Sequence, residues 1–217
     1  MTLILVIPSQ NGTVVASDGQ VSLGQTKTTS KKISKFNDSC VWGAAGDLAL
    51  IQAVENGISQ ITSKDKPLAE IRNDLCAVFP KCLSKMPSSP QPYSCEFIFA
   101  EYRKSSRILA INANGISVML ENVPFAIGSG ELFAFALLQK YQNLIPDKID
   151  NNLACVLSYR IIAETIQVVS GGVGPPIDVW EIPSAKNYTN QELQGLEDTY
   201  KALQTEELEM FLTKGNK

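Results

Sequence analysis

Residues 2–19 read TLILVIPSQNGTVVASDG: two β-branched apolar runs separated by SQNG. An Asn-Gly pair accepts the φ > 0 turn that a tight hairpin demands, so the chain is expected to begin as an antiparallel β-hairpin from its second residue. KKISKFNDSCVWGAAG (31–46) reads as a second hairpin with its turn at NDS, after a polar stretch, QVSLGQTKTTS. Leu48, Ile51, Val54 and Ile58 then fall at helical spacing behind Asp47, a candidate N-cap. PLAEIRNDLCAVFPKCLSKM is a second helix, with Pro67 at its start and Pro80 kinking or ending it.

Three strands follow, SCEFIFAEY, SRILAINAN and GISVMLEN, turning at 103–106 and at Asn114-Gly115. VPFAIGSG is a short strand. ELFAFALLQKYQNL and NNLACVLSYRIIAETIQVV are helices, SGGVGPPIDVWEI carries a last strand, and the charged tail is helix-prone. Strands and helices thus come in blocks rather than in βαβ alternation. That order predicts an α+β fold with helices packed on an antiparallel sheet or pair of sheets.

The bulk properties narrow the function. With 44% apolar and 19% charged residues in 217, the chain has a globular balance. A net charge of −3 argues against nucleic acid or an anionic membrane as the main partner. No apolar run approaches the ~18 residues of a membrane-spanning helix. MTLILVIP lacks a basic n-region and stops at Pro8, so a signal peptide is not expected and the cytoplasm is the expected location. The five cysteines, Cys40, Cys76, Cys82, Cys95 and Cys155, form no CxxC pair and are expected to be small buried hydrophobes rather than a disulfide framework or metal site. No cofactor is expected. There is no histidine at all, which excludes a Ser-His-Asp triad, a Cys-His pair and a His-ligated metal. An activated nucleophile would need a lysine, a carboxylate or the α-amino group as its base.

MTLILV, VVASDGQVSLG, KKISKF, WGAAGD and AIGSG occur in this order, and with them the chain resembles the proteasome β-type subunits and the peptidase of the bacterial two-component ATP-dependent protease. The resemblance covers roughly residues 1–182 as one domain; 183–217 stand beyond it as a C-terminal helical extension. It implies a four-layer αββα sandwich of N-terminal nucleophile hydrolase type and a threonine-type endopeptidase acting in cytoplasmic protein degradation. It also implies a homo-oligomeric ring or related assembly, a peptide or unfolded-protein substrate and an ATP-driven unfoldase partner. Thr2 matches the family's nucleophile, exposed here by removal of Met1. Asp18 matches the carboxylate that holds a lysine near the threonine hydroxyl. Lys32 matches that lysine, with Lys31 the competitor one residue away. Gly43 matches the oxyanion donor, and Ser129 a serine bonded near the threonine amine. The chemistry is coherent without histidine: an α-amino group has a reference pKa of about 8 and sits beside its own hydroxyl.

Two departures stand out. Many proteasome subunits carry Asp three positions before a Ser-Gly-Gly; here Ser170-Gly171-Gly172 is present, but that earlier position is Gln167. The segment between SLG and KKI is about two residues shorter than in the bacterial peptidase. Taken singly, Thr2 is an edge β-former, Asp18 a turn residue, Lys32 a solvated charge and Gly43 a turn glycine; their joint order favours an active site. The other readings are a catalytically inactive structural ring subunit and a small-molecule amidase of the same fold.

Overall fold

The computed structural model describes residues 2–23, 26–142, 149–169 and 171–214. Met1 and Ser170, both invoked by the sequence reading, lie outside the described residues. The opening hairpin forms as expected: β1 (Ile4–Ser9) pairs antiparallel with β2 (Gly12–Asp18), from Ile4 opposite Ser17 to Ser9 opposite Gly12. Its turn residues are Gln10 and Asn11, however, and Gly12 is already in the strand. Gly12 answers to packing instead, because a Cβ there would run into the Ile182 carbonyl.

The first sheet has the order β10-β1-β2-β11-β12, with β10 at Phe125–Ile127, β11 at Ile177–Ile182 and β12 at Lys186–Asn187. The second has the order β5-β6-β7-β8-β9, over Ile33–Asn37, Cys40–Gly46, Cys95–Tyr102, Ser106–Asn112 and Ser117–Glu121. The strand pairings in both sheets are antiparallel. Between Gly19 and Lys31 the sequence analysis places no strand, but the structure has a ribbon of β3 (Gln20–Leu23) and β4 (Thr26–Thr29). β4 is exposed along its length, so no apolar alternation marks it in the sequence.

Three apolar cores define the layers. Along β1, Leu3, Leu5 and Ile7 turn one way and Ile4 and Val6 the other, the period of a strand buried on both faces. The first set joins a core with α3 (Glu131–Gln142), α4 (Asn151–Val168) and α5 (Asn190–Lys214). The second joins Val15, Val41, Ile98, Ile108 and Trp180 between the two sheets. A third core, built on Trp42, Phe97 and Phe99, lies under α1 (Leu48–Ser59) and α2 (Leu68–Leu83). Helices, sheet, sheet, helices: this is the four-layer αββα arrangement.

Local details differ from expectation. In α1 the buried stripe is Leu50, Val54 and Ile58, while Leu48 is 43% exposed. Asp47 sits at the N-cap position but caps nothing; its carboxylate accepts from Ser94 N–H (2.7 Å), tying the start of α1 to the approach to β7. Pro80 neither ends nor stops α2, which continues to Leu83. Proline cannot donate to the Cys76 carbonyl one turn back. That carbonyl instead faces Gly115, whose φ of +78° and missing Cβ permit the approach. Cys40, Cys95 and Cys155 are buried, Cys76 and Cys82 only partly, and all five are free thiols. α5 lies antiparallel along α4: Arg160 Nη2 donates to Glu207 (2.7 Å) and Gln167 Nε2 to Tyr200 Oη (3.2 Å). Among the described residues no helix is long and apolar enough to cross a membrane.

Candidate active site

Thr2 precedes β1 at its open end, and strand alternation puts it on the same side as Ile4 and Val6, towards the space between the sheets. It is 8% exposed. The turn after β10 wraps around it. Thr2 N–H donates to Ser129 Oγ (3.2 Å), Ser129 Oγ reaches the Thr2 carbonyl (3.4 Å), and Gly130 N–H donates to the same carbonyl (3.3 Å). Gly128 makes this possible: its φ is +95° and a Cβ would collide with the Thr2 carbonyl.

Asp18 ends β2 and is fully buried. Its carboxylate accepts four donors. Oδ1 takes Lys32 Nζ (2.6 Å) and Leu3 N–H (2.8 Å); Oδ2 takes Gln20 N–H (3.1 Å) and Gly174 N–H (3.0 Å). A buried charge is tolerated only when it is compensated in this way. One oxygen atom therefore joins the ammonium of Lys32 to the peptide that follows Thr2. The Lys32 side chain is 5% exposed. Burial pulls its ammonium below the ordinary lysine value, and the charge and hydrogen bond of Asp18 oppose that pull.

Lys31 stands elsewhere. It is exposed, and its charge bears on Asp178, whose carboxyl is raised chiefly by burial. The two lysines diverge, and it is Lys32 that pairs with Asp18.

Gly43 lies in β6 between Ile33 of β5 and Ile98 of β7. A Cβ there would stand 2.7 Å from Ile4 Cδ1 and 2.9 Å from the Lys32 carbonyl oxygen. The missing side chain is what lets the second sheet close on the first beside Thr2. Thr2, Asp18, Lys32, Gly43 and Ser129 thus converge from both sheets and the β10–α3 turn on one end of the inter-sheet space.

Gln167 does not join them through its side-chain amide, which donates to Tyr200 on α5. The sequence reading missed the backbone donors that fix Asp18, from Leu3, Gln20 and Gly174. Amides leave no side-chain signature; the SGGVGPP run around Gly174 is the one visible hint.

A family model described as "Proteasome subunit" matches residues 2–175. The chain is 32% identical over 188 residues to the ATP-dependent protease subunit HslV of Rickettsia prowazekii (strain Madrid E), covering 76% of this chain and 94% of that protein. Among solved structures, Anbu (ancestral beta-subunit) from Yersinia bercovieri superposes with a TM-score of 0.79 at 15% identity, covering 97% of both chains. The Anbu complex from Pseudomonas aeruginosa, described as a helical assembly, gives a TM-score of 0.76 at 16% identity over 96% of each chain. Matches of that extent cannot stop at Ile182, so the shared fold includes much of α5.

Proposed function

The chain belongs to the proteasome subunit family of threonine peptidases, and from that premise we propose that Thr2, freed by removal of Met1, is the nucleophile of an endopeptidase. The Thr2 hydroxyl attacks a peptide carbonyl while its own amine takes the hydroxyl proton. The tetrahedral oxygen gathers negative charge, and the Gly43 N–H donates to it. The amine returns the proton to the leaving nitrogen, and an ester remains on Thr2. Water, deprotonated by the same amine, hydrolyses that ester and restores the enzyme. Lys32 stays protonated beside the hydroxyl and lowers the cost of developing alkoxide. Asp18 holds Lys32, and Ser129 orients the amine.

The observation that carries this reading is the shared oxygen of Asp18, at 2.6 Å from Lys32 Nζ and 2.8 Å from Leu3 N. It ties the cation to the chain segment that bears Thr2. A proteasome-like subunit with no need for chemistry would have no reason to bury that pair, whose desolvation costs several kcal/mol per ion.

Residues 1–182 carry the machinery in this proposal, and 183–217 form its helical extension. The protein works in the cytoplasm as a homo-oligomeric ring or related assembly on peptides or unfolded proteins. The HslV relatives, named as subunits of an ATP-dependent protease, support an unfoldase partner.

Intact mass together with peptide cleavage tests the reading. A mass lower by one methionine, with cleavage lost in Thr2→Ala while assembly persists, is the expected result. Retained Met1, or cleavage that survives Thr2→Ala, overturns it; the first outcome points to a structural ring subunit. Cleavage of small amides but no peptides would identify an amidase.

A further inference from the structure

Asp18 is braced from behind by the segment Val173–Pro176. Gly174 N–H donates to its Oδ2 (3.0 Å), and the Gly174 carbonyl accepts from Gly19 N–H (3.0 Å) and Gln20 N–H (3.1 Å). The fit is close: a Cβ on Gly174 would stand 2.5 Å from Gln20 Oε1, and one on Gly19 2.5 Å from Pro176 Cδ. The residues that anchor this segment flank Gly174. Val173, 4% exposed, and the half-buried Ile177 both sink into the core under the helices.

α5 closes that core with Tyr200, also 4% exposed. The Tyr200 ring stacks obliquely on Tyr159, at 6.3 Å between centroids. Its hydroxyl accepts from Gln167 Nε2 of α4 (3.2 Å) and from Gln204 Nε2 of its own helix (2.5 Å). On its outer side a groove of about 500 Å³ separates α5 from Pro175–Ile177. Tyr200 lines that groove, and the bond from Gln167 is the tie to α4 that holds its hydroxyl.

We propose that α5 is a positioning element for the active site and that Tyr200 is the residue through which it acts, by fixing the core under Val173 and thereby the Gly174 bond to Asp18. This rests on the reading of Thr2 and Lys32 given above, and it gives a role both to the helical extension and to Gln167. When Tyr200 loosens, the core it shares with Val173 loosens with it and Gly174 withdraws from Oδ2. Asp18 then compensates the buried Lys32 less well, and Lys32 gives up its proton at lower pH. Asp18 is the charged group acting on Lys32; Lys31 acts on Asp178 instead. Tyr200 itself stays neutral, since burial raises its hydroxyl.

The test is the pH profile of peptide cleavage by the assembled protein, with kcat and KM measured separately, for Tyr200→Phe, Tyr200→Leu and Gln167→Leu. Thr199→Ala, on the exposed face of α5, is the control. We expect kcat to fall about three- to tenfold at unchanged KM, because small misplacements of catalytic groups cost up to ~10²-fold. The basic limb should move down by about half a pH unit, and Thr199→Ala should keep the wild-type profile. Tyr200→Phe and Gln167→Leu retain the apolar bulk, so the test survives if Tyr200→Leu does not fold. Unmoved basic limbs in Tyr200→Phe and Gln167→Leu, whatever their kcat, would reduce Tyr200 to a packing residue and overturn the inference alone. If the wild type, processed to Thr2, cleaves no peptide, the reading of Thr2 falls and this inference with it.

Discussion

Lys31 and Lys32 show how far single residues can be read from the sequence. Both were open candidates, because a strand sends neighbours to opposite sides and nothing in KKISKF says which faces Thr2. The structure separates them by burial and partner. Lys32→Ala should remove nearly all peptide cleavage and Lys31→Ala little, as initial rates on a fluorogenic peptide will show; the reverse ranking would reassign the cation. Cleavage should be bell-shaped in pH. Activity rises as the Thr2 amine loses its proton. It falls as Lys32 loses its own, and burial places that limb below the ordinary lysine value of about 10.4. Asp18→Ala leaves Lys32 buried and unpaired, and strands the N–H groups of Leu3 and Gly174 as well. It should lower stability by about 3–5 kcal/mol, read from urea midpoints; a wild-type midpoint would mean that water satisfies the site.

At the scale of elements, long apolar segments were legible and short polar ones were not. The two hairpins, the strands over 95–121 and the four core helices follow from periodicity and turn residues. β4 was invisible because its side chains are exposed along its length, so its Thr and Lys carry no alternation, and β3, at four residues, is too short to show a period. Glycines misled in a consistent way. Gly12 looked like a turn residue and proved to be a point of close contact with β11. Gly43 stands at the contact between sheets rather than in a turn. Gly43→Ala therefore has a definite cost: its methyl meets Ile4 and the Lys32 carbonyl, and overpacking of this kind costs about 1–3 kcal/mol. Activity should fall far more than stability, because the displaced groups are those beside Thr2. Equal loss of activity and folded fraction in a chemical melt would speak against a role in catalysis.

For the whole molecule, the block order of strands and helices was enough to predict layers, and the family resemblance their number. What the sequence did not disclose was the place of residues 183–217, which read as an appendage because their charge density resembles a solvated tail. The apolar contacts of α5 with the body fall three or four residues apart, at Leu193, Leu196 and Tyr200. Truncation at Pro183 should cost about 3–5 kcal/mol from the loss of these apolar contacts and lower the melting temperature of the assembled protein. An unchanged melting curve would show that α5 merely rests on α4.

The burial of β1 on both faces also has a dynamic side. Amide deuterium uptake depends on opening the structure, and Leu3–Val6 are fully buried in the middle of a sheet. These amides should exchange only when the entire fold opens, while the last turns of α5, where Phe211 is 83% exposed, exchange early. The proposed nucleophile is then carried by the strand slowest to exchange. Heat should leave the chemistry intact until the protein unfolds as a unit, so that loss of activity and loss of structure trace a single curve.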